Sequence, residues 1–304
     1  LDAFVRSAVS SGNLKAYETV QPADVYIICV PTPFTFNDGS PVPNLDYVTK
    51  AAESITPLVK SGDIVILEST SPVGATQLVS DVLHGGGIDI SSIYLAYCPE
   101  RVLPGKIMSE LVLNDRVIGG INKESTRKIA EFYRTFVKGQ ILETNAETAE
   151  MCKLTENSFR DVNIAFANEL SIICDKNGVD VWDLIALANH HPRVNILQPG
   201  TGVGGHCIAV DPWFIVAGDN DNSKIIRTAR EVNDAKPKWV TSKITEKLVK
   251  AVGSKGKIVC LGLAFKPNID DLRESPAVNV VEKLLHAGYD VSAVEPNITS
   301  HDSI

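Results

Sequence analysis

Short apolar runs that alternate with helical patterns restrict the fold of this chain more than any other feature. The first run, 23–30 (ADVYIICV), ends at Pro31, and further runs follow at 63–68, 93–97, 116–118 and 140–143. Helical spacing separates them at 45–58, after Gly74 and around 125–136. Uninterrupted apolar runs are typical of strands buried on both faces of a parallel sheet. The alternation therefore predicts an α/β fold with a doubly wound parallel sheet.

Three polar segments follow predicted strands, at 30–33 (VPTP), 69–74 (STSPVG) and 98–101 (CPER). Ligands of such sheets lie beyond the carboxyl ends of the strands, so the three segments are expected to line one crevice that holds a cofactor. The expected first βα turn, with a G-x-G-x-x-G phosphate cradle and an acidic residue after it, is not found in these 304 residues. An amphipathic piece at 1–14, with no strand before it, opens the chain.

The segment 202–212 (GVGGHCIAVDP) places a thiol beside glycines and four residues before a carboxylate. Glycines let a backbone turn tightly and approach a ligand, and a thiolate is a strong nucleophile towards a carbonyl carbon. The segment therefore indicates an active-site loop with Cys207 at its centre. The alternative is a connection in which Cys207 is a small buried apolar side chain.

A long helix is predicted from Ala146 to Asn177, where Gly178 ends it. Glu150, Lys153, Asn157 and Arg160 recur at spacings of three and four and therefore share one face. They are either a solvated stripe or, for the Lys and the Asn, polar groups that a substrate satisfies. Apolar neighbours favour a largely buried helix and hence the second interpretation; these neighbours are Leu154, Phe159, Ile164, Phe166, Leu170 and Ile173.

The remaining segments predict a cation-rich turn and the start of a second nucleotide fold. A helix at 181–188 precedes His190, His191 and Arg193, which suit a phosphate or are surface charges. Helical spacing at 225–233 is expected to break before Pro237 and to resume to about residue 252. In the segment 256–266 a strand enters a glycine-containing turn, and a helix at 275–286 and a strand at 289–294 follow. We expect three domains, 1–145, 146–250 and 251–304, with the first and last truncated.

Composition excludes several classes of protein. Hydrophobic residues make up 44%, charged residues 22% and the formal net charge is -8, which disfavours both disorder and a basic nucleic-acid surface. The six cysteines have no CxxC or zinc spacing, which predicts reduced thiols in a cytoplasm and no metal site. No apolar run approaches the roughly 20 residues of a membrane span, so no membrane partner is expected.

Three segments carry a resemblance to a known family: 99–105 (PERVLPG), 191–196 (HPRVNI) and 205–214 (GHCIAVDPWF). With the predicted fold, they make the chain resemble the UDP-glucose/GDP-mannose dehydrogenases, which oxidise a nucleotide hexose to a uronic acid with two NAD. The resemblance covers nearly the whole chain. Thr201 departs from it, since the family usually has Pro before Gly-Val-Gly-Gly. The resemblance implies two Rossmann-like domains joined by a long central helix.

The resemblance implies a role for each catalytic residue. Lys153, with Asp211 and a water, is expected to move the proton of the C6 hydroxyl. Cys207 is expected to attack the aldehyde and to pass through a thiohemiacetal to a thioester. Glu100 is expected to activate the hydrolytic water, while Asn157 and Lys153 stabilise the oxyanion.

The resemblance also implies the ligands and the assembly. Thr70 is expected to serve catalysis and, with Thr32 and Arg273, to contact NAD. The UDP-sugar is expected to contact Arg101, Val102, Lys153, Asn157, Arg160, His191, Arg193, Gly204, Phe265 and Lys266. The arginine of the His-Pro-Arg segment reaches the substrate of a neighbouring subunit in this family, which implies a homodimer built on the long helix. The segment 208–214 favours UDP-N-acetyl-D-mannosamine as the substrate by resemblance alone.

Three alternatives stay open from the sequence. In the first alternative, the chain has the same activity but its substrate is UDP-N-acetylglucosamine or UDP-glucose. In the second, a cysteine hydrolase uses a histidine to activate Cys207; His206 is adjacent, but neighbours in an extended loop point apart. In the third, the chain is a non-catalytic fragment that binds a sugar nucleotide.

Overall fold

A computed structural model describes residues 2–37, 40–102, 105–205, 207–253, 256–266 and 268–298. The helices in these ranges are α1 Asp2–Ser10, α2 Asp46–Ile55, α3 Ala75–Gly85, α4 Ile107–Leu113, α5 Lys123–Arg134, α6 Ala146–Asn177, α7 Val181–Ala188, α8 Asp211–Gly218, α9 Lys224–Val252 and α10 Pro276–His286. The strands are β1 Val25–Ile28, β2 Phe34–Asn37, β3 Ser40–Pro43, β4 Ile64–Leu67, β5 Tyr94–Tyr97, β6 Arg116–Gly120, β7 Ile141–Asn145, β8 Lys257–Leu261 and β9 Asp290–Val294. The chain divides into two compact units, 1–154 and 155–304.

The first unit is built on a five-stranded sheet in the order β1-β4-β5-β6-β7. Two apolar clusters cover it. The α2 and α3 residues Val48, Ala52, Val79 and Leu83 pack in one cluster, and the α5 residues Ile129 and Tyr133 pack in the other. Helices on both faces explain why β4 is buried at all four positions and reads as an uninterrupted apolar run. The predicted doubly wound α/β sheet is confirmed.

The expectation of an entirely parallel sheet is wrong at one pair, because β6 runs antiparallel to β5. In its described residues the connection between them has one helix, α4, of seven residues, and it does not return the chain to the starting edge as a full crossover would. Strand β6 also extends beyond the predicted 116–118. The last two residues of β6, Gly119 and Gly120, must be glycine. A Cβ at Gly119 would lie 2.1 Å from the Asn145 carbonyl oxygen, and one at Gly120 would lie 2.5 Å from the Thr126 nitrogen.

Several elements of the fold lie outside the sequence prediction. Strands β2 and β3 pair antiparallel as a hairpin after the first strand-end segment. The short helices α4 and α8 are likewise unpredicted, and α8 begins at Asp211, inside the segment interpreted as a loop. In the second unit β8 and β9 pair in parallel, and α10 packs Val278 and Val281 against Leu263, as the second nucleotide-fold start predicts.

Helix α9 runs unbroken through Pro237, against the predicted break. Proline inside a helix costs about 3 kcal/mol because it removes a hydrogen bond and crowds the preceding turn. Buried contacts to α6 in the turns just before Pro237 oppose that cost. Arg230 pairs with Asp161 at 2.6 Å, and the Lys236 ammonium donates to the Asn168 carbonyl at 3.1 Å.

Helix α6 has the predicted bounds but buries a different face from the one its apolar residues suggest. Phe159, Phe166 and Ile173 are 68%, 53% and 49% exposed, whereas Asp161 and Asn168 are completely buried. At 100° per residue the two sets lie on opposite faces. The polar face is buried because α9 and the chain near Gly200 supply its hydrogen-bond partners. No helix in the described parts of the chain is long and apolar enough to cross a membrane.

Candidate active site

The first unit brings Thr32 and Thr70 together at the carboxyl ends of β1 and β4. The Thr32 hydroxyl donates to the Thr70 carbonyl at 2.6 Å, and the Val30 N–H donates to the Ser69 hydroxyl at 2.8 Å. The two strands are neighbours in the sheet, so their ends meet at one edge. This edge has the hydroxyl groups and the position that a nicotinamide dinucleotide requires in an α/β sheet.

Glu150 serves the beginning of α3 rather than a substrate. Its carboxylate is fully buried and accepts from the N–H groups of Gly74 and Thr76, both at 2.7 Å, and from the Thr76 hydroxyl at 2.6 Å. Burial raises the pKa of Glu150, and the three hydrogen bonds act in the opposite direction. The side chain therefore caps a helix N-terminus, and the alternative of a solvated stripe on α6 is wrong for Glu150.

Lys153 lies against the segment that carries Glu100. Its ammonium donates to the Glu100 carbonyl oxygen at 2.7 Å, and the residue is 8% exposed. The Glu100 carboxylate accepts from the Val102 N–H two residues on. The Arg101 carbonyl accepts from the Asn114 amide at 2.9 Å, which anchors this segment to the end of α4. Leu103 and Pro104 of the same motif lie outside the described residues.

The second unit places Cys207 one turn before α8. The Asp211 N–H donates to the Cys207 carbonyl at 2.8 Å, so residues 207–211 form a helical turn. The Asp211 carboxylate, 3% exposed, accepts from the Asn157 amide at 2.5 Å. Cys207 itself is exposed. His206, on which the hydrolase alternative depends, lies outside the described residues.

Tight packing shapes the glycines before Cys207. A Cβ at Gly204 would lie 2.6 Å from the Glu274 carbonyl oxygen and 2.8 Å from the Phe265 Cβ. Gly205 has a φ of +89°, and a Cβ there would meet the Phe265 ring at 2.6 Å. The Gly205 N–H donates to the Arg273 carbonyl at 3.2 Å. Any side chain at these positions would displace the loop, which explains the glycines that mark the motif.

Two predicted ligand-binding cations flank this loop. The Arg273 guanidinium binds the Asp271 carboxylate through two nitrogens, at 2.9 and 2.7 Å. That hydrogen bond raises the pKa of Arg273, and Cys207 lies close enough to add to the effect electrostatically. The Lys266 ammonium lies 5.6 Å from the centre of the Phe265 ring.

Three further predicted cations face solvent within their own unit. Arg160, His191 and Arg193 are all exposed. The Arg193 N–H donates to the His191 Nδ1 at 3.3 Å, which fixes the turn between them. The Asn189 side chain bonds both backbone groups of Ile196 and closes the base of the same turn. The turn therefore presents its cations outward.

The other thiols differ from Cys207 in their surroundings. Burial raises the pKa of Cys98 to about 11. Cys29 is exposed as a residue, but its sulfur lies 3.7 Å from Glu68, and partial burial of the thiol together with this carboxylate raises its pKa to about 12. Neither environment favours the thiolate that a covalent step needs. Among the described residues no group of three or more His, Cys, Asp or Glu side chains could hold a metal ion.

Two polar clusters escaped the sequence interpretation because their members are far apart in the chain. Glu68 accepts from the Tyr133 hydroxyl at 2.5 Å and from Arg116 at 3.3 Å, beneath the strand ends of the first unit. In the second unit Asn168 joins α9 to Gly200. In the sequence, the only sign of these clusters is an Arg or Asn within a segment predicted to be a buried strand or helix, since such a side chain needs a polar partner.

Comparison with known proteins defines the class: the chain is an NAD-dependent nucleotide-sugar dehydrogenase. It belongs to the UDP-glucose/GDP-mannose dehydrogenase family. The NAD binding domain of that family matches residues 1–137, the central domain matches 147–235 and the UDP binding domain matches 259–303.

Two curated relatives and one solved structure show how close the similarity is. UDP-N-acetyl-D-mannosamine dehydrogenase of Salmonella typhimurium is 54% identical over 97% of this chain and 73% of its own length. NDP-N-acetyl-D-galactosaminuronic acid dehydrogenase of Ralstonia nicotianae is also 54% identical, over 98% of this chain and 72% of its own. The structure of the UDP-D-ManNAc dehydrogenase of Pyrococcus horikoshii has a TM-score of 0.91 at 40% identity and covers 98% of this chain and 72% of that one.

Proposed function

We propose that this chain oxidises the C6 hydroxyl of UDP-N-acetyl-D-mannosamine to a carboxylate through a thioester on Cys207. The overall change consumes two NAD and one water and yields the uronate and two NADH. The observation that carries the proposal is the exposed Cys207 in a turn whose next residues lead to the buried Asp211–Asn157 pair. Bound NAD accepts the hydride in each half of the reaction.

The first half of the reaction requires a group that removes the C6 hydroxyl proton. We assign this step to Lys153 with Asp211 and a water: the proton passes through the water to the Asp211 carboxylate, and the Lys153 ammonium stabilises the alkoxide as the hydride leaves. Lys153 is buried and already donates one hydrogen bond to protein, so its ammonium has two further donors for substrate or water. Asn157 lies four residues further along α6, the spacing that places two side chains on one face. Both side chains can therefore contact one substrate.

Cys207 carries the second half. Its thiolate adds to the aldehyde carbon and forms a thiohemiacetal, and loss of the second hydride leaves a thioester. Covalent attachment keeps the aldehyde from escaping. The negative oxygen that forms on addition is stabilised by the Lys153 ammonium and the Asn157 amide. Asn157 has one N–H for this purpose besides the one that binds Asp211.

Glu100 is the base that we assign to thioester hydrolysis. It takes a proton from water, which attacks the thioester and releases the Cys207 thiolate. One carboxylate oxygen accepts the Val102 N–H, so the base uses its other oxygen or releases that bond. The carbonyl of the same residue holds Lys153, which ties the two catalytic groups of this unit together.

The remaining assignments concern the ligands and the domains. Thr32, Thr70 and Arg273 contact NAD, and the UDP-sugar is held by Arg101, Val102, Arg160, His191, Arg193, Gly204, Phe265 and Lys266. The matched family domains support a division at 1–145, 146–250 and 251–304. Six free cysteines support a reducing cytoplasm as the location.

We further infer a homodimer through α6. Phe159, Phe166 and Ile173 recur at intervals of seven residues on its exposed face, which is the spacing of a helix-to-helix seam. Beside them lies a groove of about 320 Å³ lined by residues of α6 and α9, including Phe166 and Ile225. Ile225 is 72% exposed. Contiguous apolar side chains of this kind mark a protein interface.

The choice of sugar is tested by comparing kcat/KM for UDP-N-acetylmannosamine, UDP-N-acetylglucosamine, UDP-N-acetylgalactosamine and UDP-glucose. The galactosaminuronic acid relative, at the same 54% identity, makes the third sugar a necessary member of the panel. We expect the manno nucleotide to lead and to yield two NADH per sugar with no aldehyde trapped in solution. If kcat/KM for one of the other nucleotides is tenfold higher, which is about 1.4 kcal/mol in transition-state binding, the substrate assignment is wrong. Binding without turnover would favour the non-catalytic alternative.

A further inference from the structure

The start of the Cys207 loop is tied to the buried face of α6. The Gly200 N–H donates to the Asn168 side-chain oxygen at 2.8 Å. Asn168 is completely buried in the middle of α6, and 32 residues separate it from Gly200 in sequence. A buried amide that accepts a loop N–H fixes where that loop leaves the helix. The contact holds the backbone seven residues before the nucleophile.

The other end of the Asn168 amide is fixed by a chain of buried partners. Its nitrogen donates to the Asn233 side-chain oxygen at 2.8 Å, and the Asn233 nitrogen donates to Asp161 at 2.8 Å. Asp161 in turn pairs with Arg230. Because a carboxylate can only accept, Asn233 must present its nitrogen to Asp161 and its oxygen to Asn168. The negative charge of Asp161 therefore determines which end of the Asn233 amide, and in turn of the Asn168 amide, carries the oxygen, so that the Asn168 oxygen faces the Gly200 N–H.

Two further contacts hold the loop beyond Gly200. Gly202 has a φ of +142°, and a Cβ there would lie 3.2 Å from both the Asn233 carbonyl oxygen and the Pro237 Cγ. In a regular helix the Asn233 carbonyl would accept a hydrogen bond from the N–H of residue 237, which proline lacks. The loop therefore packs where Pro237 interrupts the backbone hydrogen bonds of α9. The Gly205 N–H then bonds the Arg273 carbonyl. Two hydrogen bonds, at Gly200 and Gly205, thus hold the loop before Cys207, and Gly202 packs closely between them.

We propose that Asn168 is a positioning residue for Cys207. It orients the loop so that the sulfur meets the aldehyde carbon, and it does not touch the substrate. The inference rests on the proposed function, since it assigns Cys207 the covalent step. A shift of the nucleophile by about 1 Å can cost roughly 100-fold in rate. Removal of the amide should therefore lower kcat and leave nucleotide binding largely intact.

The test compares Asn168→Ala with Asn163→Ala in the purified protein. Asn163 lies on the same helix, but its amide bonds, among the described residues, the Phe159 carbonyl one turn earlier, at 2.7 Å. We expect Asn168→Ala to lower kcat roughly 10- to 100-fold with KM for the nucleotide sugar within about threefold. Asn163→Ala should match the parent protein in both constants.

A second readout follows the thiol without turnover. Intact-protein and peptide mass spectrometry give the rate at which iodoacetamide alkylates Cys207. A loop freed from Gly200 exposes the sulfur more often, so alkylation should become faster in Asn168→Ala while turnover becomes slower. Partial unfolding alone would instead give two phases of alkylation, a fast one from the unfolded fraction and one at the parent rate from the folded fraction, and would lower kcat only in proportion to the folded fraction. Asn233→Ala, which leaves the Gly200 bond but frees the amide to flip, should shift both readouts in the same direction.

An unchanged alkylation rate in folded Asn168→Ala would overturn the inference whatever the activity shows. If Asn168→Ala does not fold, Asn168→Ser and Asn233→Ala carry the same comparison, and parent-like kcat and alkylation in both would overturn it too. If the parent protein turns over no sugar nucleotide, the proposed function fails. Faster alkylation of Cys207 in the variant would still support the positioning role, so the two failures are distinguishable.

Discussion

Replacing Lys236 with Met should alter stability in a way that depends on pH. Lys236 is 2% exposed, and burial lowers its pKa from the ordinary 10.5 to about 8. Below pH 8 both the folded and the unfolded chain carry the charge, so the full cost of burying it is present. Between pH 8 and 10.5 the folded state loses the proton while the unfolded state keeps it, so stability rises with pH. At 1.36 kcal/mol per pH unit the whole interval corresponds to about 3 kcal/mol.

The free energy of unfolding of Lys236→Met minus that of the parent should therefore fall by about 2 kcal/mol between pH 8 and 9.5. The lost hydrogen bonds to Asn168 and Ser171 add an offset that does not depend on pH. Urea unfolding followed by tryptophan fluorescence measures the difference, since all three tryptophans belong to residues 155–304 and Trp239 lies 4.3 Å from the Lys236 ammonium. Lys238→Met, at an exposed site in the same helix, controls for the lost charge. An equal difference at both pH values would refute the reasoning.

Three further changes test other parts of the account. Glu150→Ala leaves two backbone N–H groups at the start of α3 without their acceptor, so it should lower the free energy of unfolding in urea by at least about 2 kcal/mol. The control Glu147→Ala, at an exposed site one turn earlier in α6, should lower it by less than about 0.5 kcal/mol. Phe166→Glu places a charge in the inferred seam and should halve the mass seen by light scattering; an unchanged mass places the interface elsewhere. Glu100→Gln should slow thioester hydrolysis, so intact-protein mass spectrometry should detect a sugar-nucleotide adduct on Cys207, and slow turnover without an adduct would remove Glu100 from that step.

The sequence predicts best where local pattern and tertiary environment agree. The bounds of α6 and α7 follow from helical spacing and, for α6, from the stop signal at Gly178. Strand β4 is buried on both faces and is apolar throughout, so its pattern identifies it. The Cys207 loop is likewise predictable, because its glycines and thiol are adjacent in the chain.

Prediction fails where a distant residue decides the outcome. The Glu150 carboxylate meets partners more than 70 residues earlier in the chain, and spacing along α6 cannot indicate them. Pro237 is tolerated because Arg230 and Lys236 find buried partners on α6. The exposed Phe159 and Phe166 suggest a buried face only when the helix is considered without α9. Tertiary hydrogen bonds outweigh local preference in each case.

Single-turnover oxidation by Cys207→Ser tests the central claim, that Cys207 carries the second oxidation. The first hydride transfer depends on Lys153 and Asp211 and should survive, whereas a serine hydroxyl is too weak a nucleophile for the covalent step. We expect up to one NADH per active site and negligible steady-state uronate, with Cys29→Ser, the other exposed thiol, forming uronate like the parent protein. Two NADH per sugar and sustained uronate formation by Cys207→Ser would contradict the account.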